Sequence, residues 1–149
     1  MKLSTKGRYG LRAMLDLAVN SDAEHVSLFS IAKRQEISGK YLEQVFSALR
    51  NANLVKSVKG AQGGYVLAND PSSIKIGTIL RVLEGNIDIV DMDPGFVSLA
   101  EDDISYCIRV GVWEKMNERI NKLFDSTSLE DLVREHKKMN GSQESMYYI

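Results

Sequence analysis

A single cysteine, Cys107, is all the thiol chemistry in this chain. That excludes an internal disulfide and a four-thiolate zinc site within one polypeptide. Histidine is almost as scarce: His25 and His136 have no metal-ligand companions at a recognisable spacing, and no metal site is expected. No nucleophile has an evident base. The glycines of segment 60–64 lack the lysine and serine of a phosphate-cradling loop, so the pattern argues against an enzyme. Long hydrophobic runs are also missing. The N-terminal region has no apolar secretory core and no segment approaches a membrane span, so the expectation is a cytoplasmic protein with no membrane partner.

What the chain does have is a core and an uneven charge. At 149 residues with 44% apolar content it can fill one compact domain plus an association element. The near-neutral total of −1 hides a basic half: residues 1–67 carry ten Lys plus Arg against five Asp plus Glu, and residues 68–149 carry nine against fifteen. A basic half is the electrostatic footprint of a phosphate-binding surface.

The basic half reads as a helix-turn-helix followed by a wing. Ser27 is placed to cap a supporting helix with Leu28, Ile31 and Ala32 on one face and Lys33 and Arg34 near its C-terminal end. Residues 36–38 make a tight connection, and Ser38 can cap a second helix burying Tyr41, Leu42, Val45, Phe46 and Leu49. The other face of that helix shows Lys40, Glu43, Gln44, Ser47 and Arg50, which suit base edges and phosphates in a major groove. Segments 54–59 and 65–67 read as strands joined by the glycine turn 60–64, with Lys56 and Lys59 on the arm and Gly60 and Gly63 allowing close backbone approach to phosphates. Before this unit, a helix from about residue 4 to 20 has Leu11, Met14, Leu15 and Ala18 at helical spacing. Lys2, Ser4, Thr5, Lys6, Arg8 and Tyr9 surround its start, where free N–H groups favour an anion.

Beyond the wing, Ile76, Ile79, Leu80 and Leu83 predict a short helix after the Pro71 turn. Segment 85–103 is acidic and without periodicity, a long loop whose aspartates do not match a calcium loop. A helix of about 20 residues, about 30 Å, is expected over 105–124. Ile108, Val112, Trp113, Met116, Ile120 and Leu123 make an apolar stripe there that must be covered. Thr127 with Glu130 predicts the cap of a last short helix. A polar spacer over 141–145 then leads to Met146, Tyr147, Tyr148 and Ile149, an apolar ending unusual for a solvated tail.

These pieces resemble one family. Residues 2–10 (KLSTKGRYG), 41–46 (YLEQVF), 49–51 (LRN), 54–55, 60–67 (GAQGGYVL), 82–85 and 128–132 match, in order and spacing, the small bacterial winged helix-turn-helix repressors of the IscR/CymR type, the Rrf2 family. The resemblance implies a mainly α fold with a small β-hairpin wing, arranged as a DNA-binding domain (1–84), a loop (85–104), a dimerisation helix with a C-terminal helix (105–140) and a tail (141–149). It implies a homodimer on a palindromic operator of double-stranded DNA. Lys40, Glu43 and Gln44 would read bases, Lys59 would enter a minor groove, residues 2–9 would lie on the backbone, and Ser38, Tyr41, Arg50, Gly60 and Gly63 complete the expected DNA-binding set. Iron-sulfur members supply three loop cysteines to a cluster. Two of those are absent here, so no iron-sulfur cluster and no other cofactor is expected, and Cys107 stands as a candidate redox site. The ending resembles that of the cysteine-metabolism repressors of the family, which makes cysteine synthase the candidate partner, received by Tyr147, Tyr148 and Ile149.

Overall fold

The computed structural model describes residues 2–21, 24–91 and 103–147. Along them run α1 (Thr5–Val19), α2 (Leu28–Gln35), α3 (Gly39–Asn51), β1 (Val55–Val58), β2 (Gly64–Leu67), a single 3-10 turn (Pro71–Ser73), α4 (Ile76–Glu84), α5 (Ile104–Ile108), a π-helical turn (Arg109–Trp113), α6 (Glu114–Ser126) and α7 (Leu129–Tyr147). The mainly helical architecture with one antiparallel hairpin is the expected one.

Both helices of the helix-turn-helix start and stop on local chemistry. The Ser27 hydroxyl oxygen accepts from the Ser30 amide at 3.1 Å, and the Ser38 oxygen accepts from the Tyr41 amide at 3.4 Å, as their positions predict. Each helix closes in a left-handed residue, Glu36 (φ 55°) after α2 and Asn53 (φ 61°) after α3. In each, the next amide reaches back five residues, Ile37 N–H to Ala32 O at 3.1 Å and Leu54 N–H to Leu49 O at 3.0 Å. The turn between supporting and reading helix is thus hydrogen-bonded backbone whose direction is fixed.

One core collects the inward faces. Met14, Leu17, Ile31, Leu42, Phe46, Leu49 and Ile79 are fully buried, and each large side chain contributes roughly 1.5–3 kcal/mol by leaving water. On α1 the buried face centres on Ala13, Met14 and Leu17, while Leu11 and Leu15 are only half-buried. Of the expected stripe Met14 and Ala18 are buried, and the buried face is wider and shifted toward Ala13 and Leu17 because α1 packs against α2, α3, α4 and α7. β1 and β2 pair in the register Val55↔Leu67 to Val58↔Gly64. Val26, just before α2, adds a bridge to Tyr65, with bonds of 2.9 and 2.8 Å. The wing is therefore pinned to the helix-turn-helix at its base.

The second half departs from expectation in three places. The helix expected over 105–124 spans Ile104 to Ser126 and contains the π turn, in which the Glu114 amide bonds to Arg109 O, five residues back. The last helix is capped one position later than expected: the Ser128 amide donates to Asp131 Oδ2 (2.8 Å) and the Asp131 amide to Ser128 Oγ (3.1 Å), a reciprocal box that displaces Thr127 and Glu130 from the role. That helix is also not short. Once nucleated, α7 elongates through segment 141–145, expected as a spacer, as far as Tyr147. Tyr148 and Ile149 lie outside the described residues. At its start, Leu129 donates its amide to Ile74 O (2.8 Å) and is fully buried in the main core, so the C-terminal helix packs with the DNA-binding elements.

Candidate nucleic-acid interface

The expected contact residues lie on three elements, and two of these, the start of α1 and the start of α3, meet directly. The Tyr9 ring on α1 meets the Tyr41 ring on α3 edge to face, centroids 6.2 Å apart. Thr5, Tyr9, Glu36, Ile37, Ser38 and Tyr41 line a groove of about 350 Å³ between the start of α1 and the start of α3. The arm and the reading helix are thus adjacent. Tyr9 and Tyr41 are half-buried and pack on the core, so they form the floor of the groove, and the Arg12 guanidinium covers Tyr9 at 5.2 Å from its centroid.

Around that floor the polar residues stand in solvent. Lys2, Ser4, Lys6 and Arg8 on the arm, Ser38, Lys40, Glu43 and Gln44 at the start of α3, and Lys59 and Gly60 on the wing are all exposed, and Gly63 is half-buried. Among the described residues no carboxylate forms an ion pair with Lys2, Lys6, Arg8, Lys40, Arg50 or Lys59, whereas Arg34, Arg81, Arg109 and Arg134 are all paired. Most other described lysines of the fold are equally unpaired; what arm, reading helix and wing offer a phosphate chain is exposed positive charge. Arg50 lies ten residues beyond Lys40 on the same helix, about 15 Å along its axis, and suits a flanking contact more than the groove itself. In the wing turn Gly60 adopts φ 123°, and its carbonyl accepts from the Gly63 amide at 3.0 Å. The His25 ring nitrogen meets the Gln62 carbonyl and ties the turn back to the segment before α2.

One expectation about the arm is corrected. The amides at the start of α1 are not all free for a phosphate, because the Glu84 carboxylate of α4 accepts from the Ser4 amide (2.9 Å), the Ser4 hydroxyl (2.5 Å) and the Gly7 amide (3.0 Å). Sequence reasoning also missed Asp16. Its side chain is 2% exposed and accepts from Arg34 Nη2 at 2.7 Å and Nε at 3.0 Å, from Gln35 Nε2 at 2.8 Å and from Asn20 Nδ2 at 3.4 Å. The hydrogen bond to Asp16 holds the Arg34 guanidinium above its ordinary value. The available signal was an acid placed among Ala13, Met14, Leu17 and Ala18 on a face otherwise apolar.

The expected association face is exposed. Ile108, Val112, Trp113, Met116 and Leu123 all stand partly in solvent, and Ile120 is half-buried. The adjoining face of α6 is occupied by its own chain. Asn117 Oδ1 accepts from the Ile89 amide at 2.7 Å, Asn121 Nδ2 donates to Asp88 at 2.8 Å, and Phe124 packs on Ile76, Leu80 and Ile87. No described helix is long and apolar enough to cross a membrane.

An exposed basic arm, a reading helix and a hairpin wing built on one helical core define a winged helix-turn-helix, a DNA-binding protein. The family model described as iron-dependent transcriptional regulator, Rrf2, matches residues 3–135, and the chain belongs to that family. It is 43% identical, over the whole of both chains, to the HTH-type transcriptional regulator CymR of Bacillus subtilis (strain 168). The solved structure of CymR (YrzC), the global cysteine regulator of B. subtilis, superposes with a TM-score of 0.75 at 44% identity, covering 90% of this chain and 97% of that one. T. potens IscR superposes with a TM-score of 0.74 at 45% identity, covering 93% and 90%. The chain is a transcriptional regulator of the CymR type, and not an enzyme.

Proposed function

We propose that this regulator is a homodimeric repressor that binds a palindromic operator of cysteine- and sulfur-metabolism genes, with cysteine synthase as its co-regulator. The observation that carries it is the likeness, over the whole of both chains, to CymR, whose solved structure is described as that of a global cysteine regulator, together with the exposed basic residues on arm, reading helix and wing. The apolar stripe from Ile108 to Leu123 supplies the two-fold contact that places two reading helices in successive major grooves. The repressor works without the family's iron-sulfur cluster. Such a cluster takes several thiolates, the chain has one cysteine, and that one is exposed on α5, so the donor set does not fit. The C-terminal residues Tyr147, Tyr148 and Ile149 receive the synthase.

Genomic fragments retained by the full-length protein, sequenced with and without cysteine synthase, test this reading. The synthase is expected to change occupancy at sulfur-metabolism promoters, and deletion of residues 146–149 to abolish that change while leaving the protein folded. Retention of no promoter above scrambled competitor, in either condition, sinks the repressor; retention indifferent to the synthase sinks the co-regulator.

On a retained operator, Gln44→Ala is expected to lose about 1–3 kcal/mol of discrimination at one base step, because a glutamine side chain can pair bidentately with adenine. Lys59→Ala is expected to weaken binding about equally on all sequences and to lower the salt slope by about one. Competition titrations over a salt series separate the two. Unchanged discrimination in the Gln44 variant removes that residue from the readout.

A further inference from the structure

The start of α1 is capped from another helix. Ser4 occupies the N-cap position but makes no capping bond with its own side chain. The Gly7 amide, which an N-cap side chain would ordinarily satisfy, donates instead to Glu84 Oε1 at 3.0 Å, and the Ser4 amide and hydroxyl donate to the same oxygen at 2.9 and 2.5 Å. Glu84 lies 77 residues from Gly7 in sequence. The seat is shaped for this carboxylate: a Cβ at position 7 would overlap Glu84 Oε1, and glycine leaves the room. The helix that carries Glu84 is itself held. One turn earlier on α4, Arg81 forms two bonds to Asp125, of 2.6 and 3.0 Å, and one of 2.6 Å to Asn121, both on α6.

We propose that Glu84 is a positioning residue for DNA: it fixes the first turn of α1 so that Lys2, Lys6 and Arg8 stand beside the start of the reading helix, without touching DNA itself. The proposal rests on the arm's role in the interface above. With the carboxylate removed, Ser4 and Gly7 lose their shared acceptor and the first turn frays. The frayed arm is then off the phosphates in part of the bound population, because seating it costs an ordering entropy that an anchored arm has already lost on folding, so both affinity and the number of neutralised phosphates fall.

The test uses the full-length protein and a promoter duplex retained from genomic DNA, titrated over a salt series. Glu84→Ala is expected to weaken binding about tenfold and to flatten the salt dependence by about one or two phosphates. Glu84→Gln, which keeps the accepting oxygen, is expected to recover most of that loss. Gly7→Ala keeps the carboxylate but pushes it off its seat, and is expected to reproduce Glu84→Ala; combining the two adds little further, since both break one contact. The salt slope reports the folded, binding fraction, so partial unfolding does not mimic the result. If Lys2→Ala and Lys6→Ala lower affinity and slope while Glu84→Ala and Gly7→Ala change neither, the proposal is overturned and the arm's role stands. Tighter binding by Glu84→Ala overturns it too, showing a carboxylate that repels DNA. If the Lys2 and Lys6 variants change nothing, the arm's role falls and the proposal with it.

Discussion

Replacing Met116 by glutamate is expected to leave a folded monomer whose operator affinity is lower by about two orders of magnitude or more. Met116 is 40% exposed on α6, between Trp113 at 37% and Leu123 at 62%, so the substitution creates no cavity and buries no charge in the isolated chain. In a two-fold interface the same patch meets itself, and one substitution puts two carboxylates close to the axis without partners. The π turn contributes to the patch. Its bonds span five residues, which brings Ile108 and Trp113 onto one side and keeps the stripe continuous from α5 into α6. Loss of the pair converts a linked binding event into two separate ones, and linkage of this kind is worth about 10²–10⁴ in affinity. Sedimentation and operator titration at matched concentration check both halves. A variant that remains dimeric moves the interface elsewhere, and a monomer that binds as tightly as the wild type removes the need for a palindrome.

The helix-turn-helix and its wing were legible because they are made of local signals. Ser27 and Ser38 cap where their spacing from the apolar faces predicts, and residues 60–64 turn a hairpin because glycine supplies the backbone angles it needs. What the sequence concealed is contact across distance. Glu84 and Gly7, Asp16 and Arg34, and Val26 and Tyr65 are paired by tertiary packing, and a single polar side chain on a helix carries no mark of its partner. The same limit explains the end of the chain. Thr127 and Glu130 fit the capping pattern as well as Ser128 and Asp131 do, and the choice fell to the residue whose neighbour, Leu129, had a place in the core. Gly141 and the serines around it read as a break by propensity, but a capped helix already packed against α1 extends through them.

Asp16→Ala is expected to destabilise the fold by about 2–4 kcal/mol. The size follows from the asymmetry of its surroundings. The Asp16 side chain is 2% exposed and collects donors from Arg34, Gln35 and Asn20, so the folded chain has exchanged its hydration for charge-assisted bonds. Truncation leaves a small void and three donors facing it. Two of those donors belong to the last turn of α2, and Asp16 is the brace that holds the supporting helix to α1. The Arg34 side chain is 40% exposed and can turn to water, which keeps the loss below the 3–5 kcal/mol or so typical of breaking a fully buried pair. Asp16→Asn is expected to fare little better, because an amide nitrogen would present hydrogens to a guanidinium that has only hydrogens to give. Urea midpoints at constant slope measure both variants. A loss below about 1 kcal/mol would mean that water replaces the carboxylate without penalty. A loss in the expected range makes the angle between α1 and α2, and with it the place of the reading helix, depend on one acid in the core.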